Sequence, residues 1–345
     1  MIFAMLAAAS FGSPAVAQPV ETATIEAVRE TVPVVSKGDA ADDPAIWRNP
    51  ANPKKSLIVA TDKDWGLNVY DLSGALKAST PAGRVNNVDL RADVLIQGRK
   101  GVLVAASDRS DDPQGRIALY ALEAAPVALR HLAHLAVESD GVGNVYGFCL
   151  WRRTPDQIFA FIPFNNGDLR QYAFDLSGPQ PKATLVRDIK LDSRSEGCVV
   201  DDRTGELYVG EEKRGIWRIE AAPDSKAAPV LFAAVDGVHL IPDIEGLAIV
   251  PKGRKAGVLL ASSQNDNSYV AYDLESGRYI RRFRIVGSGL VDGVVDTDGL
   301  EFASGDFGAP FNDGILVVQD GDNAPDNQNF KFVPGGALKD LLGLK

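Results

Sequence analysis

The chain has 345 residues, a formal net charge of -10 at neutral pH, and 45 % hydrophobic and 24 % charged residues. Such an acid excess repels polyanions, which excludes nucleic acid and anionic membrane surfaces as partners and demands an intervening cation for any phosphorylated ligand. Frequent glycine (33) and proline (20) suit many short strands joined by tight turns.

In chain order, Met1 to Ala17 is apolar, lacks acidic residues and closes on Ala15-Val16-Ala17, a small-residue cleavage pattern. No Lys or Arg precedes the apolar run, and a short buried strand is the competing reading. A signal peptide over 1–17 is expected, followed by one domain over 18–345 in the periplasm or outside the cell. No other run is long and apolar enough to span a bilayer. In that oxidising setting Cys149 and Cys198 could pair or remain two buried thiols, and the sequence leaves both open.

One segment then recurs six times, an apolar strand ending in a polar turn. The copies are Leu57–Ala60 before Thr61-Asp62-Lys63, Val102–Ala105 before Ser107-Asp108-Arg109, and Ile158–Phe161 before Asn165-Asn166. Leu207–Val209 follows before Glu211-Glu212-Lys213, then Val258–Ala261 before Ser262-Ser263-Gln264 and Ile315–Val318 before Gln319-Asp320. The period of roughly 50 residues is that of propeller blades, so the expected fold is all-β, a six-bladed β-propeller. A short helical turn at Gly336 to Leu342 is the one helical expectation.

Upstream of each unit lies a polar head running into a strand: Asp42-Asp43-Pro44, Asn87-Val88-Asp89, Tyr146-Gly147-Phe148, Glu196-Gly197-Cys198, Asp243-Ile244-Glu245 and Asp298-Gly299-Leu300. If these are innermost strands, heads and turns converge on one face around the axis. Asp42, Asp43, Asp89, Glu196, Glu211, Glu212, Asp243, Glu245, Asp298 and Asp320 would meet there with Asn165 and Gln264. So many carboxylates raise one another's pKa without counter-charge. Hard oxygen donors on loops suit calcium, whereas the three histidines, none at a strand head, argue against a soft-metal site. The competing reading is that each acid caps a turn.

Cations stand among the acids: Lys63, Arg91, Arg109 and Lys213, with the phenol of Tyr146. Lys63, Arg109 and Lys213 are expected at equivalent turns. Such groups bind phosphate oxygens, although for Lys213 a surface ion pair is the preferred reading. Other phosphatase chemistries fail on sequence. Arg130-His131-Leu132 lacks the glycine of a phosphohistidine motif, and Cys198 to Arg203 encloses acids rather than a phosphate loop. Metal-activated water remains.

These residues resemble the β-propeller phytase family in order along the chain. The resembling segments are Asp42–Trp47, Asn86–Arg91, Ala105–Ser110, Val145–Phe148, Glu196-Gly197, Asp201-Asp202, Glu211-Glu212, Ile216-Trp217, Pro242–Leu247, Ala261–Gln264, Asp296–Gly299, Gln319–Gly321 and Asn327–Lys331. The resemblance implies a calcium-dependent phosphomonoester hydrolase, of the 3-phytase type, that releases phosphate from calcium phytate and acts as a monomer. Lys63, Arg109 and Tyr146 then correspond to phosphate contacts, with Arg91 and Asn165 beside them. Glu196, Glu212, Asp243, Glu245 and Asp298, with Gln264, correspond to ligands of catalytic calcium. Asp43, Asp292, Asp320, Asp322 and Asn323 correspond to structural calcium ligands. Asn165 departs from the lysine found there in some members. The expected mechanism is in-line attack by calcium-activated water, with Lys63 and Arg109 holding the equatorial oxygens. Its rivals are a calcium lactonase or esterase, which generally needs a histidine beside the metal, and a non-catalytic binding propeller.

Overall fold

Each recurring apolar run forms the second strand of a four-stranded antiparallel sheet, and the polar-headed element before it forms the first. The computed structural model describes residues 20–111, 114–137 and 143–344, so the expected leader lies outside the described residues. Blades 1 to 6 begin with the strands Ala41–Trp47, Val85–Ile96, Cys149–Thr154, Ser195–Asp201, Ile244–Lys252 and Leu300–Ala303. The second strands are Leu57–Asp62, Arg99–Asp108, Gln157–Pro163, Glu206–Glu211, Ala256–Ser263 and Ile315–Asp320. First strands of successive blades touch one another, and blade 6 returns to blade 1, which closes a six-bladed ring.

Burial explains the sequence pattern. The second strands are nearly all buried, because both faces pack against neighbouring blades. Six hydrophobic clusters fill the six blade interfaces, for example Val59, Val69, Val88 and Val104 between blades 1 and 2. Outer strands such as Lys182–Lys190 alternate between exposed and half-buried positions. Cys149 and Cys198 are joined in a disulfide, Cα–Cα 5.7 Å, that ties the inner strands of blades 3 and 4. The C-terminal helix Gly335–Leu342 buries Leu338 and Leu342 in the blade 5–6 cluster.

The ring is locked by a segment that carries no repeat signal. Thr22–Glu26 adds a fifth strand to blade 5, parallel to Tyr279–Val286. Arg29–Glu30 then pairs with Phe332 and Lys331 as the outer strand of blade 6. Blade 6 is thus built from both ends of the fold.

Around the axis the backbones approach closely at glycines. A Cβ on Gly147 would strike the carbonyl oxygen of Glu196, and one on Gly197 that of Glu245. Gly246 lies against the carbonyl of Asp298, and Gly299 against that of Asp42, with Gly246 N and Gly299 N donating to those oxygens at 3.1 and 3.0 Å. A Gly197→Ala substitution therefore overpacks backbone against backbone, which typically costs about 1–3 kcal/mol. Chemical denaturation should show a loss in that range, and an unchanged midpoint would contradict the close approach.

Candidate active site

Side chains reach the axis through a repeated backbone device. In blade 1, Ala41 pairs with Asp62 and Pro44 with Ala60, so Asp42 and Asp43 stand opposite the single residue Thr61. Asn86-Asn87, Glu196-Gly197 and Glu245-Gly246 form the same bulge in blades 2, 4 and 5. A bulge re-aims the side chains it carries. Tyr146-Gly147 and Asp298-Gly299 hold matching places in blades 3 and 6, as the glycine contacts round the ring show. The six heads facing one another are therefore Asp42, Asn86, Tyr146, Glu196, Glu245 and Asp298.

The turns are positioned by a second repeat. In blades 1 to 5 a turn residue just past the second strand donates its backbone N–H to the carbonyl of the residue two positions before the facing head. The bonds are Lys63 to Ala40 (2.8 Å), Arg109 to Arg84 (2.9 Å), Asn165 to Asn144 (3.2 Å), Glu212 to Arg194 (3.1 Å) and Gln264 to Asp243 (3.1 Å). The blade 4 equivalent of Lys63 and Arg109 is thus Glu212, a correction to the expectation for Lys213. One residue further on, Lys213 is turned out to solvent.

These groups enclose a cavity of about 260 Å³ lined by Asp39, Asp42, Lys63, Tyr146, Arg194, Glu196, Asp243, Glu245, Gln264, Asp296 and Asp298. Carboxylate oxygens of Glu196, Glu212 and Glu245 lie within 4.8 Å of one another. Asn86 donates to Glu196 at 2.6 Å, and Gln264 donates to Asp298. Lys63, 12 % exposed, sits among Asp39 (2.7 Å), Asp42 (3.0 Å) and Asp298 (3.7 Å), and these charges raise its pKa against the effect of burial. The guanidinium carbons of Arg109 and Arg194 approach the Tyr146 ring to 5.8 and 5.4 Å. Burial, then Glu196 and Glu245, raise the Tyr146 phenol.

Burial and crowding push these carboxyls above their usual range. Burial is the largest cause at Glu212 and, with Glu196 and Asp243 and against Arg194 and Lys213, pushes it up to about 7. Asp42 rises to about 6 through burial and Glu196, despite Lys63. Glu245 and Asp298 are raised well above the carboxylate range, again first by burial. Glu212 Oε1 is buried without a hydrogen-bond partner among the described residues.

With this geometry in place, the comparisons decide the lineage. The Phytase family model matches residues 1–345. The chain belongs to the phytase family. It is 38 % identical over 328 residues to the 3-phytase of Bacillus subtilis (strain 168), covering 92 % of this chain and 85 % of that protein.

Not every residue the phytase resemblance pointed to reaches this cavity. Arg91 and Asp89 lie beyond the blade 2 bulge, in a second cavity of about 340 Å³ farther along the inner strands. There Arg91 is held by Asp89 (2.6 Å), Asp202 (3.1 Å) and the Leu150 carbonyl (2.6 Å), which corrects its placement among the rim cations. Asp43 points the same way, accepting from Val88 N at 3.1 Å, and Glu301, pushed up to about 8 by burial and Asp89, faces it. Asn165 accepts from Asn144 N at 3.0 Å and does not line the first cavity. Glu211 is a structural acid, accepting from the side-chain donors Ser193 Oγ (2.6 Å) and Trp217 Nε1 (2.7 Å).

Asp292, Asp320 and Asn323 form a separate cluster round the buried ammonium of Lys331, joined by Glu30. Asp320 rises to about 6, chiefly by burial. Asp322 accepts from Ala324 N at 3.3 Å and lines a groove with Asp292. None of the histidines lines the first cavity. Sequence reasoning passed over Asp39, Arg194, Asp296 and Glu30. Arg194 stands two residues ahead of Glu196, a spacing that the strand-head register could have revealed.

The raised carboxyls set a pH dependence. A folded-state pKa above the unfolded one gives a stabilising contribution that is complete below the unfolded value and lost as pH rises through the folded value. For Glu212 that window runs from 4.5 to about 7, and for Asp42 from 3.8 to about 6. In chelator, stability should therefore fall as pH rises from about 4 to 7, and Glu212→Gln should flatten part of the fall. Urea denaturation across that range is the check, and rising stability would contradict the reading.

Proposed function

We propose that this phytase-family chain hydrolyses phytate in a calcium-dependent reaction at the first cavity, as a monomeric periplasmic or secreted enzyme. The observation that carries the reading is the meeting of clustered carboxylates with Lys63, Arg109 and Tyr146 at one ring of strand heads and turns. A cavity of acids alone would repel a polyphosphate, and one of cations alone would bind it without a metal.

The residues fit calcium. Glu196, Glu212 and Glu245 converge as hard oxygen donors, and the buried Glu212 Oε1 makes no hydrogen bond among the described residues, with only the Arg194 guanidinium 3.5 Å away. Asp243, Asp298 and Gln264 complete the donor set from blades 5 and 6. Asp43, and the cluster of Asp292, Asp320, Asp322 and Asn323, are proposed as structural cation sites, the latter partly neutralised by Lys331. Bound calcium supplies positive charge that offsets the carboxylates and polarises the phosphoryl group.

The chain's own groups then divide the task. Lys63, already desolvated and held by Asp39 and Asp42, exchanges carboxylate oxygens for phosphoryl oxygens as the substrate enters. Arg109, whose buried Nε lacks a hydrogen-bond partner among the described residues, donates from the blade 2 turn, and Tyr146, whose ring lies beside that guanidinium, lines the cavity. The second carboxylate oxygen of Glu212 receives the proton of the attacking water in this reading. Attack is direct, without a covalent intermediate. The disulfide suits an oxidising compartment, and no described helix is long and apolar enough to cross a membrane.

Phosphate release from phytate, with calcium titrated against chelator, tests the reading. Release should require calcium, and Lys63→Ala should lower kcat/KM by about 100-fold, the scale on which a lost charge-stabilising donor acts. Chelation should also lower the melting temperature. Intact phytate in ample calcium would end the proposal, and a trapped phosphoenzyme would end direct attack.

A further inference from the structure

Away from the axis, two of the chain's three histidines stand side by side on the outermost strand of blade 2. That strand, Val127–Ala136, runs antiparallel to Arg116–Ala124. His131 lies opposite Tyr120, Ala133 opposite Leu119 and His134 opposite Ala118, so Leu132 is the extra residue of a bulge. In a regular strand, residues three apart point to opposite faces. The bulge cancels that alternation, because Tyr120 and Ala118 are two apart and share a face. The two imidazole rings end with their centres 5.0 Å apart and their planes at 80°.

Both histidines are exposed, whereas Tyr120 is buried, its ring 5.5 Å from His131 and 6.4 Å from His134. Edge-to-face packing on Tyr120 is the plain alternative, but phenyl rings would serve it equally and it makes no use of the nitrogens. Two imidazoles bound to one ion through N–metal bonds of about 2.1 Å, at a tetrahedral angle, have their centres about 5 Å apart. That is the spacing found here. Burial lowers the His134 pKa, with Arg116 and His131 acting the same way and Asp108 and Asp111 opposing. At neutral pH this ring therefore offers a lone pair and carries no positive charge. Its Nε2 stands 3.5 Å from the Tyr120 hydroxyl, too far for a firm hydrogen bond to occupy it.

Neither histidine lines the strand-head cavity or the inner channel. The donor chemistry differs as well, since carboxylates suit hard calcium and imidazoles suit zinc, nickel and copper. We propose that His131 and His134 form a chelating site for a divalent transition ion of the zinc, nickel or copper class. The site is separate from the carboxylate cluster at the axis and independent of the phytate reading. Two protein ligands leave the remaining positions to water, so the ion exchanges with solvent. Bound there, it bridges the two sides of the Leu132 bulge and stabilises the outer edge of blade 2.

The test uses the full chain without an affinity tag, in excess calcium that competes for the carboxylates. Calorimetric titration with zinc chloride near neutral pH should reveal a site on wild type. His131→Ala and His134→Ala should each weaken it by about tenfold or more, equivalent to about 1.4 kcal/mol for each factor of ten. His239→Ala should leave it unchanged, and acidification to about pH 5 should abolish it as protons compete for the rings. Copper(II) bound to wild type should show paramagnetic-resonance splitting from two nitrogens, a signature that needs no variant. Equal melting temperatures without metal confirm that the variants are folded. No zinc uptake by wild type, uptake undiminished in either His131→Ala or His134→Ala, or a copper signal from a single nitrogen would each overturn the inference.

Discussion

The structure depends on backbone touching backbone around the axis. Gly147, Gly197, Gly246 and Gly299 let the inner strands of blades 3 to 6 press against the carbonyl of the next, and no side chain fits between them. That contact fixes how far apart the heads Glu196, Glu245, Asp298 and Asp42 can stand. Mutual repulsion cannot relax by widening the ring, because the six interblade cores hold the blades at fixed spacing. The raised carboxyl groups follow from this enforced crowding.

Charge balance is handled at three levels. Lys63 neutralises part of the first cluster from within, Lys331 does the same for the second, and Arg91 serves the acids of the inner channel. Each cation is buried or nearly so and lies in contact with at least two carboxylates. Glu196, Glu212 and Glu245 stand outside this arrangement, with Arg194 only loosely attached. The acids left least compensated by the chain are therefore the ones that suit a divalent ion.

Much of this was legible in the sequence, because a buried second strand must be a short apolar run and a strand head must be polar where it meets solvent. The repeat of Leu57–Ala60, Val258–Ala261 and their kin therefore yielded six blades, and the heads yielded Asp42, Glu196, Glu245 and Asp298. What escaped lay in register rather than composition. The bulges shift which residue faces inward, so Glu212 and not Lys213 matches Lys63, and Arg91 falls below the rim. Outer strands such as Lys182–Lys190 carry too few apolar residues to announce themselves. Thr22–Glu26 gave no sign that its partners lie some 260 residues away, at Arg282 to Val286.

The lock on blade 6 joins Glu30 to Lys331, residues some 300 positions apart in sequence. Without that pairing blade 6 has three of its four strands and the ring loses its closing contact. Such long-range pairing is slow to form, since loop closure must precede any reward from contact. A ring that closes only when Glu30 meets Lys331 leaves the edges at both tips unpaired until that one contact forms.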